Sequence, residues 1–193
     1  MAQKFDPRQK DQLLSEERQK LLQPAKLLRS LGLRAGDTLA DIGCGPGFFT
    51  LPAAEIVGPR GLVYAADIQG DMLSAVKTRA NEANLTNVQV IKSSDTQVPI
   101  RAASVDMALL AFTLHEIDQR ARFLHRVSRL LKPSGKLIII EWEKQSDAPG
   151  PPANARLTAE DAIKDAEAAG LVLAEQRNLN VFHYLCVLTP AAH

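Results

Sequence analysis

The ten residues from Thr38 to Gly47, Thr-Leu-Ala-Asp-Ile-Gly-Cys-Gly-Pro-Gly, constrain this chain more than any other stretch. A short apolar strand, Thr38–Ile42, enters a turn holding Gly43, Gly45 and Gly47, and a helical pattern follows from Phe48 to Val57. Glycines let a backbone turn tightly and let a ligand come close, because no Cβ is in the way. A pyrophosphate-binding GxGxxG turn would place its third glycine at position 48, which is Phe, and Pro46 removes one of the N–H groups such a ligand needs. The turn therefore suits a ligand approaching the backbone rather than a phosphate. The plainer alternative is a purely structural strand-to-helix connection.

The same alternation continues downstream. Gly61–Ala66 reads as a second strand ending at Asp67, Gly70–Ala83 as a helix with Met72, Leu73, Val76 and Ala80 inward, and Val88–Ile91 as a third strand. Val105–Phe112 is a fourth strand. Asp118–Leu131 is a helix burying Phe123, Val127, Leu130 and Leu131, with Arg122, Arg126, Arg129 and Lys132 outward. Pro133-Ser-Gly135 stops it, and Lys136–Trp142 is a fifth, nearly all-apolar strand. Such alternation implies an α/β, doubly wound parallel sheet covered by helices on both faces. The last third departs from it: a proline loop over 146–155, a helix opened by a Thr158-x-x-Asp161 cap, then strands Leu171–Arg177 and Val181–Leu188 as an antiparallel pair. Before the glycine turn, Leu13–Leu31 reads as two short helices, the second opening at Pro24. The expected organisation is a helical segment over 1–36 and a main domain over 37–193, compact as one domain.

Charge excludes some functions. With 23 Lys and Arg against 22 Asp and Glu the net charge is +1, which gives no general attraction to a phosphate backbone. Residues 1–36 hold 8 basic against 4 acidic residues, read as a solvated helix face. Two cysteines, Cys44 and Cys186, make neither a disulfide framework nor a four-cysteine zinc site, and both read as buried filler. No metal site is expected. No apolar run approaches the ~18 residues of a membrane span, and the first residues lack a signal-peptide core, so a cytoplasmic protein without membrane or nucleic-acid partners is expected. No long heptad pattern speaks to oligomeric state.

Asp67, at the end of the second strand, is placed to accept hydrogen bonds from both hydroxyls of a ribose. A solvated loop carboxylate is the alternative. Ser94 and Asp95 follow the third strand, where a polar side chain would meet an adenine amino group. Ile68 and Met72 would cover the faces of the base.

Taken in order, Asp41–Gly47, Ala66-Asp67-Ile68 with Asp71-Met72-Leu73, Ser104–Thr113 and Val127–Leu137 resemble the successive motifs of class I S-adenosylmethionine-dependent methyltransferases, from about Thr38 to Leu188. Within that family the chain resembles the small-molecule branch that includes the ubiquinone and menaquinone enzymes. The resemblance implies a Rossmann-like seven-stranded sheet of order 3-2-1-4-5-7-6 with strand 7 antiparallel. It also implies S-adenosylmethionine as cofactor and methyl transfer to a small molecule by in-line displacement. Gly43, Gly45 and Gly47 would lie against the methionine part of the cofactor. Asp41 would hold its amino group directly or through water, Asp67 its ribose, and Ser94 or Asp95 the adenine, with Ile68, Met72 and Ala111 completing the site. The helices of Leu13–Leu31, with Phe5, would fold over the cofactor as a lid.

A protein doing this chemistry holds nucleophile and methyl group together and excludes water; a base is needed only if the nucleophile loses a proton. His115, directly after the fourth strand, is the candidate base, or else a packing histidine. Glu116 either caps the next helix or touches substrate. Trp142 is a pocket wall or core. Arg156 reads as a surface arginine, with anion binding the alternative. His125 reads as solvated, and His183 and Tyr184 as packing. Ala111-Phe-Thr-Leu114 stands where amide-methylating relatives have an Asn-Pro-Pro-Tyr-like motif, which disfavours amino groups of nucleic acid or protein as acceptors. Two alternatives are a binding module that keeps the cofactor pocket without catalysis, and a nucleotide-dependent oxidoreductase, which the glycine spacing disfavours.

Overall fold

The computed structural model describes residues 12–144 and 150–191. Seven strands form one sheet, β1 (Thr38–Ile42), β2 (Leu62–Asp67), β3 (Val88–Lys92), β4 (Val105–Ala111), β5 (Leu131–Trp142), β6 (Leu171–Asn178) and β7 (His183–Pro190). Their order is β3-β2-β1-β4-β5-β7-β6. β1–β2, β2–β3 and β4–β5 pair in parallel, and β7 runs antiparallel to both β5 and β6. This is the order and the antiparallel strand that the family resemblance implies.

Contacts group the chain into two compact units that meet in sequence at Ile100 and Arg101. The first holds α1 (Glu16–Leu22), α2 (Pro24–Ser30), α3 (Thr50–Val57) and α4 (Gly70–Glu82) with β1, β2 and β3. The Ser15 hydroxyl caps α1 by accepting the Arg18 N–H, and Gln23, at φ 42°, closes it so that Pro24 can open α2. Leu39 through Ile42 of β1 are all buried, as a strand covered on both faces must be. α4 buries Met72, Leu73, Val76 and Ala80, the stripe its spacing predicts. Met72, Leu73 and Val76 each contribute roughly 1.5–3 kcal/mol on burial.

The second unit holds β4, α5 (Arg120–Ser128), β5, α6 (Ala159–Ala168), β6 and β7. α5 buries Phe123, Leu124 and Val127 but ends at Ser128, short of the expected Leu131. Leu131 already belongs to β5, whose start lies five residues before the expected Lys136. The sheet register explains this: Leu131 faces Val105, and pairing resumes with Lys136 opposite Met107, so Pro133-Ser-Gly135 bulges out inside the strand instead of separating two elements. Gly135 fits there because a Cβ would stand 2.8 Å from the Val105 carbonyl oxygen. The Thr158 hydroxyl accepts the Asp161 N–H at 3.1 Å and opens α6, as its motif predicts. β6, the last strand of the sheet, carries a register shift between Leu173 and Glu175 and an ion pair from Arg177 to Glu175 at 2.6 Å. Among the described residues no helix is long and apolar enough to cross a membrane.

Candidate active site

In the first unit the chain leaves β1 through Gly43, Gly45 and Gly47, with φ of 73°, 52° and 88°. The Gly43 and Cys44 N–H groups both donate to the Ala66 carbonyl, at 2.8 and 3.1 Å, which ties the turn to the end of β2. Arg79 of α4 clasps the turn by donating to the Pro46 carbonyl. A Cβ at Gly47 would lie 2.8 Å from the Leu51 side chain and 3.2 Å from Val76. One at Gly45 would lie 3.5 Å from Leu13. Leu13, in the segment expected to act as a lid, thus lies beside the turn, and Arg18 stacks over the Phe48 ring at 4.9 Å. Phe5, assigned to the same lid, lies outside the described residues.

Asp67 is 6 % exposed. One carboxylate oxygen accepts the Gly45 N–H at 2.9 Å and the other the Gln69 N–H at 2.8 Å. The two oxygens together offer about four lone-pair sites, so acceptor capacity remains for a ribose hydroxyl. Burial raises the Asp67 pKa above the usual carboxylate value, against the opposing effect of the Gln69, Gly45 and Ile68 N–H groups and Lys92. Asp41 is 2 % exposed and accepts the Thr50 hydroxyl at 2.6 Å. Burial pushes its carboxyl up to about 7; the Thr50 hydrogen bond opposes this and the Asp67 charge adds to it. A ligand ammonium beside Asp41 would offset both the burial and the repulsion between the acids. Ile68 is half-buried, and its carbonyl accepts the Lys92 ammonium. Met72 is 2 % exposed. Ser94 and Asp95 are exposed, with the Ser94 oxygen accepting the Thr96 and Gln97 N–H groups at 3.3 and 3.0 Å.

In the second unit β4 ends at half-buried Ala111, and Phe112 follows with φ of 60°, a left-handed conformation that is strained for a bulky residue. Its N–H donates to the Ile140 carbonyl at 2.8 Å, and its ring packs 5.3 Å from Trp142 and 4.8 Å from His183. Trp142 lies 4.4 Å from His183, and the Arg156 guanidinium stands 5.8 Å from the Trp142 ring. Trp142 is thus half-buried in an aromatic group, with the backbone at Gly150 so close that a Cβ would meet the indole at 2.7 Å.

His115 lies on a single 3-10 turn, Leu114–Glu116. Its backbone N–H donates to one Glu141 oxygen at 3.1 Å, and its ring Nδ1 lies 2.8 Å from the other. The Glu141 side chain is fully buried and that of His115 8 % exposed. Ring Nε2 lies 4.0 Å from a Glu116 oxygen. Burial pulls the His115 pKa down, but the hydrogen bond and charge of Glu141 and the charge of Glu116 outweigh it, so the net direction is up. Register puts Glu141 opposite Tyr184 and Trp142 opposite His183, so the acid and the aromatic group occupy opposite faces of the sheet.

Two readings from the sequence need correction. Arg156 is not a surface residue: it is 5 % exposed and donates to the Pro151 and Glu143 carbonyls at 2.8 and 3.1 Å, because the proline loop wraps its guanidinium in backbone acceptors. Glu116 does not cap α5, which starts after Gln119 without a side-chain cap. Tyr184, His183, Cys44 and Cys186 are buried, and His125 is exposed, as read. Glu141 was the residue without an assigned role. Its signal was present in the sequence: one carboxylate directly after Ile138-Ile-Ile140, in a strand covered on both faces, is costly unless it has a dedicated partner. Among the described residues no group of three or more His, Cys, Asp or Glu is arranged to hold a metal ion.

A mostly parallel sheet with β7 antiparallel, a three-glycine turn after β1 and acids at Asp41 and Asp67 are the features of a Rossmann-like methyltransferase. Comparisons agree. Residues 40–139 match the methyltransferase domain family. An S-adenosylmethionine-dependent methyltransferase from Aquifex aeolicus is 32 % identical, superposes with a TM-score of 0.91, and the match covers 96 % of this chain and 98 % of that one. A ubiquinone/menaquinone biosynthesis C-methyltransferase from a Marinomonas strain is 32 % identical over 114 residues, 58 % of this chain and 45 % of the relative. The match therefore spans about half the length of that curated relative. Geranyl diphosphate C-methyltransferase from Streptomyces coelicolor, at 16 % identity and TM-score 0.74 over 98 % of this chain and 87 % of that one, shares the fold. This chain belongs to the methyltransferase domain family.

Proposed function

We propose that the protein binds S-adenosylmethionine through Asp41, Gly43, Gly45, Gly47 and Asp67 and transfers its methyl group to a small molecule. The observation that carries this is Asp67: a nearly buried carboxylate, fixed by the Gly45 N–H on the glycine turn, with acceptor capacity left for a ribose hydroxyl. Ile68 and Met72 complete the cofactor site in this reading, with Ser94 or Asp95 toward the adenine. The cofactor supplies a methyl group already activated by positive sulfur. What remains for the chain is to hold the two reactants together, exclude water and, where needed, take a proton. His115 is the residue assigned to that proton.

The full-length similarity to the Aquifex aeolicus enzyme supports the cofactor. The acceptors named for the quinone-pathway relatives are not carried over, because the match spans about half of those proteins. The near-neutral charge supports a small acceptor rather than nucleic acid. Two free, buried thiols support a reducing, cytoplasmic setting.

Calorimetric titration with S-adenosylmethionine, and separately with S-adenosylhomocysteine, tests the assignment. Saturable binding of both is expected, with Kd in the micromolar range, about −8 kcal/mol. No binding to a folded sample overturns it. Binding without turnover on any small acceptor would favour a non-catalytic cofactor-binding module.

A further inference from the structure

We infer that Glu141 is a positioning residue that holds His115 ready to accept a proton at Nε2, and hence that the acceptor molecule loses a proton as it is methylated. The inference rests on the methyltransferase reading above.

The geometry is specific. Glu141 lies in the fully buried run Ile138–Glu141, and one residue engages both of its oxygens. A carboxylate serving only the backbone would need nothing beyond the His115 N–H. Here the second oxygen meets ring Nδ1, which fixes the ring's rotation and makes Nδ1 the protonated nitrogen of the neutral imidazole. Nε2 is left with its lone pair. The nearest Glu116 oxygen, at 4.0 Å, is beyond hydrogen-bond reach but close enough to stabilise a positive ring.

Among the described residues, the charged groups that raise the ring's pKa are Glu141 from β5 and Glu116 from its own turn. Tyr184 of β7, which pairs with Glu141 in register, stays neutral: burial and the Glu141 charge raise its pKa, and its hydroxyl donates to the Leu157 carbonyl. Both carboxylates favour the imidazolium, so a proton arriving at Nε2 is stabilised where it lands.

The balance follows. The acceptor's X–H bond gives its proton to Nε2, and its electron pair forms the new bond to the methyl carbon. The carbon–sulfur pair stays on sulfur, and the imidazolium later releases its proton to water. A thiol already ionised at neutral pH needs no such partner. The dyad instead suits a weakly acidic hydroxyl or an activated C–H.

The test uses the full-length chain labelled with 15N, with long-range 1H–15N spectra of its four histidines recorded across pH. His115→Asn assigns the signal, since the amide still donates to Glu141. A neutral ring protonated at Nδ1 and a titration midpoint above 6.5 are expected. Glu141→Gln should lower that midpoint by about one pH unit, and Glu116→Gln by less. The wild-type tautomer is read without Glu141→Gln, so poor folding of that variant does not protect the idea. A ring protonated at Nε2, a wild-type midpoint at or below 6.5, or a midpoint unmoved in folded Glu141→Gln would each overturn it.

S-adenosylhomocysteine titrated into the same samples separates the two levels. Its Kd should stay within about twofold of wild type in Glu141→Gln. Normal binding with an unshifted imidazole overturns the dyad alone. No binding to wild type overturns the methyltransferase reading, and the dyad's role with it.

Discussion

Asp41 and Asp67 are both buried acids, yet they call for different experiments. Asp41 titrates near 7 in the absence of ligand, so lowering the pH from 8 to 6 protonates it and removes the charge that would face the cofactor's ammonium. Affinity for S-adenosylhomocysteine should therefore fall on acidification, by up to about tenfold per pH unit below the midpoint. Asp41→Asn should bind weakly at both pH values and lose that slope; calorimetry in matched buffers reads both. Asp67→Ala should cost about 1–3 kcal/mol of cofactor affinity, the scale of losing hydrogen bonds to a charged group. Unchanged affinity in the folded variant would remove the ribose assignment. The place of Asp67 beside the glycine turn was legible in the sequence, because it ends the strand next to the one that feeds the turn. Glu141 has the same chemistry but was given no role, because its partner lies 26 positions away and only folding brings the two together.

At the scale of elements, the helices and strands of the first unit follow their periodicity closely, since local spacing decides which face is buried. β5 did not. A proline and a glycine in sequence read as a boundary, whereas pairing with β4 carries the strand across them as a bulge. Only the neighbouring strand contains that information. The glycine turn allows a direct comparison. Gly36 and Gly47 share nearly the same φ, 89° and 88°, but a Cβ at Gly36 meets nothing within 4 Å while one at Gly47 meets Leu51 at 2.8 Å. Gly36→Ala should cost about 1–2 kcal/mol, from backbone conformation alone. Gly47→Ala should cost a further 1–3 kcal/mol or so from overpacking, and should also weaken cofactor binding. Urea denaturation of the two variants side by side measures the difference.

The order of the whole sheet, including the antiparallel insertion of β7, was implied by motif resemblance; periodicity alone supplied the alternation and the final hairpin. Stability against pH also belongs to this scale. Asp41, Asp67 and His115 all have folded-state pKa values above their ordinary ones, so the folded chain holds protons more tightly than the unfolded one. The resulting stability is present below the unfolded values and is lost as pH rises through the folded ones. The cofactor-free melting temperature should therefore be higher at pH 6 than at pH 8, with about 2–4 °C for each kcal/mol in a chain of this size. Asp41→Asn should flatten that dependence, as differential scanning calorimetry would show. The terminal strand β6 has a consequence for concentrated solutions. A straight, uncharged strand at a sheet margin is a template for other chains, but here the register shift at Leu173–Glu175 bends it and the Glu175–Arg177 pair places charge along it. With Val172 half exposed beside them, the shift and the charged pair make β6 a poor template for strand-to-strand growth into fibrils.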